Sequence, residues 1–228
     1  MAMSKRGLLV RGAAWSAGAL AGAGMAGSAD AAAKLKATQR MDLGPFYPVE
    51  RPLEDDADLT RLTGHAGRAK GQVIELAGRV LNTDGQPVPN ARVEIWQANA
   101  VGRYRHHGDD HDKLPIDENF QGSAVQMTDA QGQYRFLTVK PGAYPAGKFM
   151  RSPHIHFDVA GKWDRLITQM YFPGEPLLRQ DTVLLHDLSD ARPPKRFPEV
   201  IFGRRTLAAS TLEPGAPLWR FDLILENG

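Results

Sequence analysis

The sequence predicts an all-β protein: a β-sandwich of short antiparallel strands with long irregular loops, preceded by a signal peptide. Three observations predict it. Apolar and polar residues alternate over short runs, the pattern of half-buried strands. Asp-Gly turns separate those runs, and 23 glycines and 16 prolines favour turns over long helices. No helical periodicity appears between the turns.

The elements follow in order. Residues 34–70 read as an irregular N-terminal arm carrying Gly44-Pro45-Phe46-Tyr47-Pro48 and the acidic Glu54-Asp55-Asp56. The first strand runs from Gln72 to Leu81, and Asn82-Thr83-Asp84-Gly85 forms a turn because Asp-Gly tolerates positive φ. A second strand spans Ala91 to Gln97, with Val93 and Ile95 alternating against Arg92, Glu94 and Trp96. Residues 99–122 lack periodicity and are dense in Arg, His and Asp, so they read as one long loop of the kind that often carries function. A second hairpin surrounds Asp129-Ala130-Gln131-Gly132 and leads into Gln133–Leu137. Pro141-Gly142-Ala143-Tyr144-Pro145 is a turn; His154–Val159, Leu166–Phe172 and Phe221–Leu225 are strands; residues 186–217, with five prolines, are irregular. Residues 71–228 form a single domain.

The N-terminus differs from the rest. Ser4-Lys5-Arg6-Gly7 precedes a Gly/Ala-rich, mildly apolar run ending in Ser28-Ala29-Asp30-Ala31-Ala32-Ala33, which makes residues 1–33 a signal peptide. It resembles a twin-arginine leader with Lys5 in place of the first arginine. A membrane anchor needs about 20 strongly apolar residues, and Arg11 interrupts this run. The expected location is therefore periplasmic or secreted, or cytoplasmic if the leader does not function. Of 28 basic and 26 acidic residues, the leader holds three and one, leaving 25 of each in the mature chain. That balance gives no argument for a nucleic-acid partner. With no cysteine, thiol catalysis, Cys–zinc sites and iron–sulfur clusters are excluded, so a metal must be held by His, carboxylate or Tyr.

Arg151-Ser152-Pro153-His154-Ile155-His156-Phe157 carries the chemistry. Positions i and i+2 of a strand share a face, so His154 and His156 project side by side, close enough to share a metal, while Ile155 and Phe157 turn into the core. Taken alone, His-x-His is also compatible with a surface or core pair. Two tyrosines add weight: Tyr144 sits in a rigid Pro-flanked turn and Tyr104 in a polar loop, whereas Tyr134 and Tyr171 occupy alternating strands as core tyrosines do. Phenolate is a hard anionic ligand suited to ferric iron. Two phenolates and two neutral imidazoles would leave Fe(III) one formal positive charge and room for an incoming ligand. Arg151 by itself is compatible with a surface salt bridge, and Gln169 with a satisfied core amide.

The segments Asp84-Gly85-Gln86-Pro87-Val88-Pro89-Asn90-Ala91, Glu94-Ile95-Trp96-Gln97-Ala98-Asn99-Ala100, Gly102-Arg103-Tyr104, Gly132-Gln133-Tyr134, Pro141–Pro145, Arg151–Phe157 and Leu166-Ile167-Thr168-Gln169 closely resemble the intradiol ring-cleavage dioxygenases. Within that family the nearest look is the iron-binding chain of the protocatechuate 3,4-dioxygenases. The resemblance covers roughly residues 70–180, with a weaker echo at Phe221-Asp222-Leu223. It implies one Fe(III) per chain, held by Tyr104, Tyr144, His154 and His156. Tyr144 would leave the metal and take a substrate proton, Arg151 would stabilise negative charge on the catecholate, and Gln169 would position substrate or oxygen. A catechol-type small molecule and O2 are the implied partners, and a cis,cis-muconate-type diacid the product. No membrane or nucleic-acid partner is expected for the mature chain, and a homo-oligomer is allowed.

Two departures from the family stand out. Catechol 1,2-dioxygenases carry a helical N-terminal domain, and the 37 residues of the arm show no helical pattern. Protocatechuate enzymes place an aromatic after the Tyr-Pro turn, where this chain has Ala146, so the pocket is expected to be wider. Tyr47 is a further residue able to reach the site, and the His106, His107 and His111 loop reads as a solvated pocket mouth. Two alternatives compete: a non-catalytic transthyretin-like or carboxypeptidase-regulatory-like module, and an Fe(II) site of two histidines and one carboxylate using Asp158 or Asp187.

Overall fold

Period-2 alternation becomes two open sheets facing one another across a shared core. The computed structural model describes residues 33–49, 54, 56–188 and 197–227. The expected leader therefore lies outside the described residues, apart from Ala33. In the first sheet β1 (Val73–Asn82) is central. It pairs antiparallel with β4 (Gln133–Val139) and parallel with β10 (Pro217–Arg220) and β11 (Leu223–Leu225), and β10 carries the edge strand β9 (Arg204–Ala209). The second sheet is antiparallel, in the order β3 (Ser123–Met127), β2 (Arg92–Trp96), β7 (His154–Ala160), β8 (Arg165–Tyr171). A small hairpin, β5 (Tyr144–Ala146) with β6 (Phe149–Arg151), stands apart from both.

Val93, Ile95, Ile155, Phe157, Val159, Leu166 and Met170 point from the second sheet into the core, against Ile74, Leu76, Val80, Phe136 and Val139 of the first. Each apolar side chain buried this way contributes about 1.5–3 kcal/mol. Alternation then places Trp96, His154, His156, Gln169 and Tyr171 on the opposite face of the second sheet. That face is buried too, because the arm and the loops cover it.

The chain is nearly all-β, with one six-residue α-helix, α1 (Thr182–Asp187), and two 3-10 turns among the described residues. Three expectations need correction. The strands are not all antiparallel, since β10 and β11 both run parallel to β1. The two Asp/Gly turns do not close hairpins between successive strands: β1 and β2 lie in different sheets, as do β3 and β4. Asn82 Oδ1 accepts from the Asp84 and Gln86 N–H groups, and Asp129 Oδ1 from those of Gln131 and Gln133. Such Asx turns are local, so the same residues serve whichever sheet the outgoing strand joins. Finally, the stretch expected to be irregular after residue 186 contains β9 and the start of β10. β9 is almost wholly exposed, which removes the apolar alternation that would have marked it.

Candidate metal centre

β7 projects His154 and His156 from one face, with their Nε2 atoms 3.1 Å apart. Ser152 O lies 2.6 Å from His154 Nδ1. A carbonyl only accepts, so Nδ1 carries the proton and Nε2 presents a bare lone pair. Trp96 is paired with His156 across β2 and β7, and its ring stacks on the imidazole at 4.7 Å and 10°. Ile155 and Phe157 enter the core as the alternation requires.

The two tyrosines arrive on loops that Asn99 ties together. Asn99 Oδ1 accepts from Val101 N–H and Arg103 N–H, each at 3.0 Å. Its backbone carbonyl accepts from Gly102 N–H and Gly142 N–H, binding the Tyr104 loop to the turn that bears Tyr144. Gly102 has φ +91°, and a Cβ there would overlap the Ala143 carbonyl oxygen, so only glycine lets the loops meet this closely. Buried Asp109 accepts from the Tyr104 N–H at 2.7 Å. The phenol rings stand 5.2 Å apart, edge to face; Tyr144 lies 5.7 Å from the His154 ring and Tyr104 6.3 Å from that of His156. All four sequence-predicted ligands are buried and gathered at one place.

Arg151 ends β6 opposite Tyr144. Its Nη1 donates to the Tyr144 hydroxyl at 3.3 Å, and its Nη2 to Gln169 Oε1 at 2.9 Å and to the Tyr171 hydroxyl at 2.8 Å. Nε donates to both oxygens of Asp181, at 2.9 and 3.1 Å. Gln169 Nε2 donates to the Asp42 carbonyl, so the N-terminal arm also orients the amide. Gln169 thus lies beside Arg151, and of the two only Arg151 bonds the Tyr144 hydroxyl.

Burial, reinforced by the positive charge of Arg151, pushes both imidazoles well below the usual histidine range and keeps them neutral. Burial likewise raises Tyr104 well above the ordinary phenol value, and Tyr144 is raised by burial against the opposing pull of Arg151. Neutral imidazoles are ready ligands, whereas the phenols need a cation to lose their protons. The Tyr104 hydroxyl is buried with no hydrogen-bond partner, as is His156 Nδ1. An unpaired phenol oxygen and two histidine Nε2 atoms 3.1 Å apart fit a bound cation. Two imidazoles about 2.1 Å from one first-row metal ion, at a right angle, would lie about 3 Å apart. The hard phenol oxygens suit ferric iron.

The arm roofs this face. A Cβ on Gly44 (φ +77°) would lie 3.1 Å from His156 Cε1, and the Phe46 ring packs on Tyr104 and Tyr144. Tyr47 reaches Trp96, but its hydroxyl is spent on Glu94. Ala146 is half-buried against the cluster of Phe46, Tyr104 and Tyr144. A cavity of about 430 Å³ opens beside Tyr104, lined by Phe46, Trp96, His106 and His107 among others. His111 lies 2.7 Å from Asp109, so this part of the polar loop serves the clamp on Tyr104. Neither carboxylate of the Fe(II) alternative joins the histidines. Asp158 is held by two bonds from Arg165, and Asp187 clusters instead with Asp42 and His186.

Sequence reasoning missed four contributors. Tyr171, read as a core tyrosine, turns its hydroxyl to Arg151 and Gln169. Trp96 was legible only as a strand residue, although its parity within the strand was available. Asp181 caps α1 by accepting from Leu184 N–H, and Asp before Thr-Val-Leu-Leu is a helix-start signal. Asn99 lies in the family-like segment Glu94–Ala100, where its sequence context alone assigns it no role.

The family model described as Dioxygenase matches residues 43–192. The protocatechuate 3,4-dioxygenase beta chain of Burkholderia cepacia is 44% identical over 199 residues, 85% of this chain and 81% of that one. A hydroxyquinol 1,2-dioxygenase of Corynebacterium glutamicum is 35% identical over 211 residues, 84% of this chain and 64% of its own length. The solved catechol 1,2-dioxygenase of Acinetobacter sp. ADP1 superposes with a TM-score of 0.62 at 23% identity, covering 84% of this chain and 63% of that one, a likeness of fold. The chain belongs to the intradiol ring-cleavage dioxygenases, a family dependent on non-haem iron.

Proposed function

We propose that this chain cleaves a catechol-type ring with O2 between the two hydroxylated carbons, yielding a cis,cis-muconate-type diacid that keeps both oxygen atoms. The observation that carries the reading is the meeting of Tyr104, Tyr144, His154 and His156 beside the buried guanidinium of Arg151. These four side chains would hold one Fe(III) per chain. When bound, the ion activates the catecholate toward O2. Tyr144, a phenolate once the ion is bound, would take a proton on Oη from a substrate hydroxyl, and Arg151 Nη1, 3.3 Å from that oxygen, would stabilise the negative charge left on the substrate. Trp96 holds the His156 ring in plane, and Ser152 O holds the His154 tautomer. The arm and the Phe46 ring keep water from this face. A binding module without chemistry gives no reason to bury an arginine among Tyr144, Gln169, Tyr171 and Asp181. The leader would direct the protein to the periplasm or outside the cell.

The test is metal analysis, a visible spectrum and O2 uptake with catechol, protocatechuate, hydroxyquinol and homoprotocatechuate. The expected protein is red-brown from tyrosinate-to-iron charge transfer, holds about one iron per chain by the four-ligand count, and consumes O2 with at least one of these rings. A colourless iron-replete protein, or one fully active with zinc and without iron, would sink the reading.

A further inference from the structure

We infer that Asp181 is the positioning residue that aims Arg151 at the reacting oxygens, an inference that rests on the proposed function. Arg151 sits at the end of β6, in a hairpin of two three-residue strands outside both main sheets. Neighbouring Phe149 and Met150 are exposed, so within β6 only Arg151 is buried. A long guanidinium side chain on so light an element needs an external anchor.

Asp181 supplies it. The carboxylate is fully buried and takes the Arg151 Nε–H on both oxygens. It is itself held on two sides: Oδ1 accepts from Leu184 N–H and Oδ2 from Ser152 N–H. Leu184 is buried in a cluster with Met41, Tyr171, Leu178 and Ile201, which locks the start of α1. A continuous path therefore runs from that cluster through α1 and Asp181 to the guanidinium.

Clamping Nε fixes the plane of the fork. A guanidinium has five N–H donors. Here one goes to Asp181, one Nη1 hydrogen to Tyr144, and both Nη2 hydrogens to Gln169 and Tyr171. The remaining hydrogen lies on Nη1, the nitrogen already beside the Tyr144 oxygen, where a substrate oxygen would arrive. Without Asp181 the fork can rotate about its stem, and the buried charge loses its counter-ion.

The experiment is a double-mutant cycle of Asp181→Asn, Arg151→Met and the pair. Each protein is measured for iron content, melting temperature, anaerobic catechol binding through the visible band, and kcat/KM. Asn is a good helix N-cap, so Asp181→Asn should keep its fold and its iron. Catechol affinity and kcat/KM should fall by about 10- to 100-fold, as for loss of a charged hydrogen bond. With Met at position 151, adding Asp181→Asn should change either quantity by less than about twofold. An equal loss in both backgrounds would mean that Asp181 acts through the fold or through Ser152, and would overturn the inference. So would unchanged binding and turnover in the single variant. If Asp181→Asn does not fold, Asp181→Ser, which keeps a capping hydroxyl, replaces it in the same cycle. Wild-type protein without iron or ring cleavage would overturn the functional reading instead, and the melting temperatures would still report whether Asp181 and Arg151 are coupled.

Discussion

Asn99→Ala tests whether one buried amide holds both tyrosine loops. The substitution removes the acceptor of two backbone N–H groups, on Val101 and Arg103, and the donor to Pro115 O. Arg103 N–H is buried, so leaving it unpaired costs about 1–3 kcal/mol, and the two more accessible bonds add about 1 kcal/mol together. The expected loss is about 2–4 kcal/mol, which for a fold of this size lowers Tm by roughly 5–15 °C. The backbone bonds from Gly102 and Gly142 to the Asn99 carbonyl survive in the variant, so the loops loosen rather than detach. Tyr104 follows Arg103 directly, and iron affinity should fall by about 10- to 100-fold, the usual cost of losing an outer-shell partner. Thermal unfolding of the iron-free protein and a competitive chelator titration measure the two quantities. A stability within about 0.5 kcal/mol of wild type would refute the hydrogen-bond accounting, since that is the scatter of neutral substitutions. Lost stability with unchanged iron affinity would refute the link from Asn99 to Tyr104.

Other outcomes can be checked alongside. Tyr144→Phe should retain iron and lose most ring cleavage, whereas His154→Ala should lose the iron itself; equal iron loss would argue against Tyr144 as the proton-taking ligand. Ala146→Trp, filling half-buried space beside Tyr144, should lower kcat/KM for a bulky 4-alkylcatechol more than for catechol, by a packing difference on the order of 1–3 kcal/mol. Unchanged ratios would remove residue 146 from the pocket wall. Burial, with the neighbouring charge of Asp42, pushes Asp187 from its ordinary 3.8 up to about 6. A carboxyl raised on folding costs stability as pH rises through that window, so Asp187→Asn should stabilise the protein more at pH 7 than at pH 4, as urea unfolding would show. An equal effect at the two pH values would refute that assignment.

Much of the site was legible because its signals are local. His-x-His on a strand shares a face by backbone geometry alone, and Ile155 and Phe157 enter the core as that geometry demands. Tyrosines in turns, away from any alternating strand, stood out for the same reason. The partners of Arg151 were not legible. Asp181 lies 30 residues along the chain and the Asp42 carbonyl more than 100 residues before Gln169, so only folding brings them to the site. Tyr171 illustrates the limit: alternation said correctly that it is buried, but not on which side of the sheet.

The β class, the turn positions, the family and the candidate ligands follow from local signals, because periodicity, turn chemistry and short motifs are encoded by residues close in the chain. Tertiary structure alone decided which sheet each strand joins, that β10 and β11 run parallel to β1, and that the arm roofs the histidine face. It also decided how a buried arginine is held. Sheet membership and charge burial depend on contacts between distant segments. An Asx turn is satisfied equally well in either sheet, and a carboxylate becomes an anchor only once the fold has taken both charges out of water.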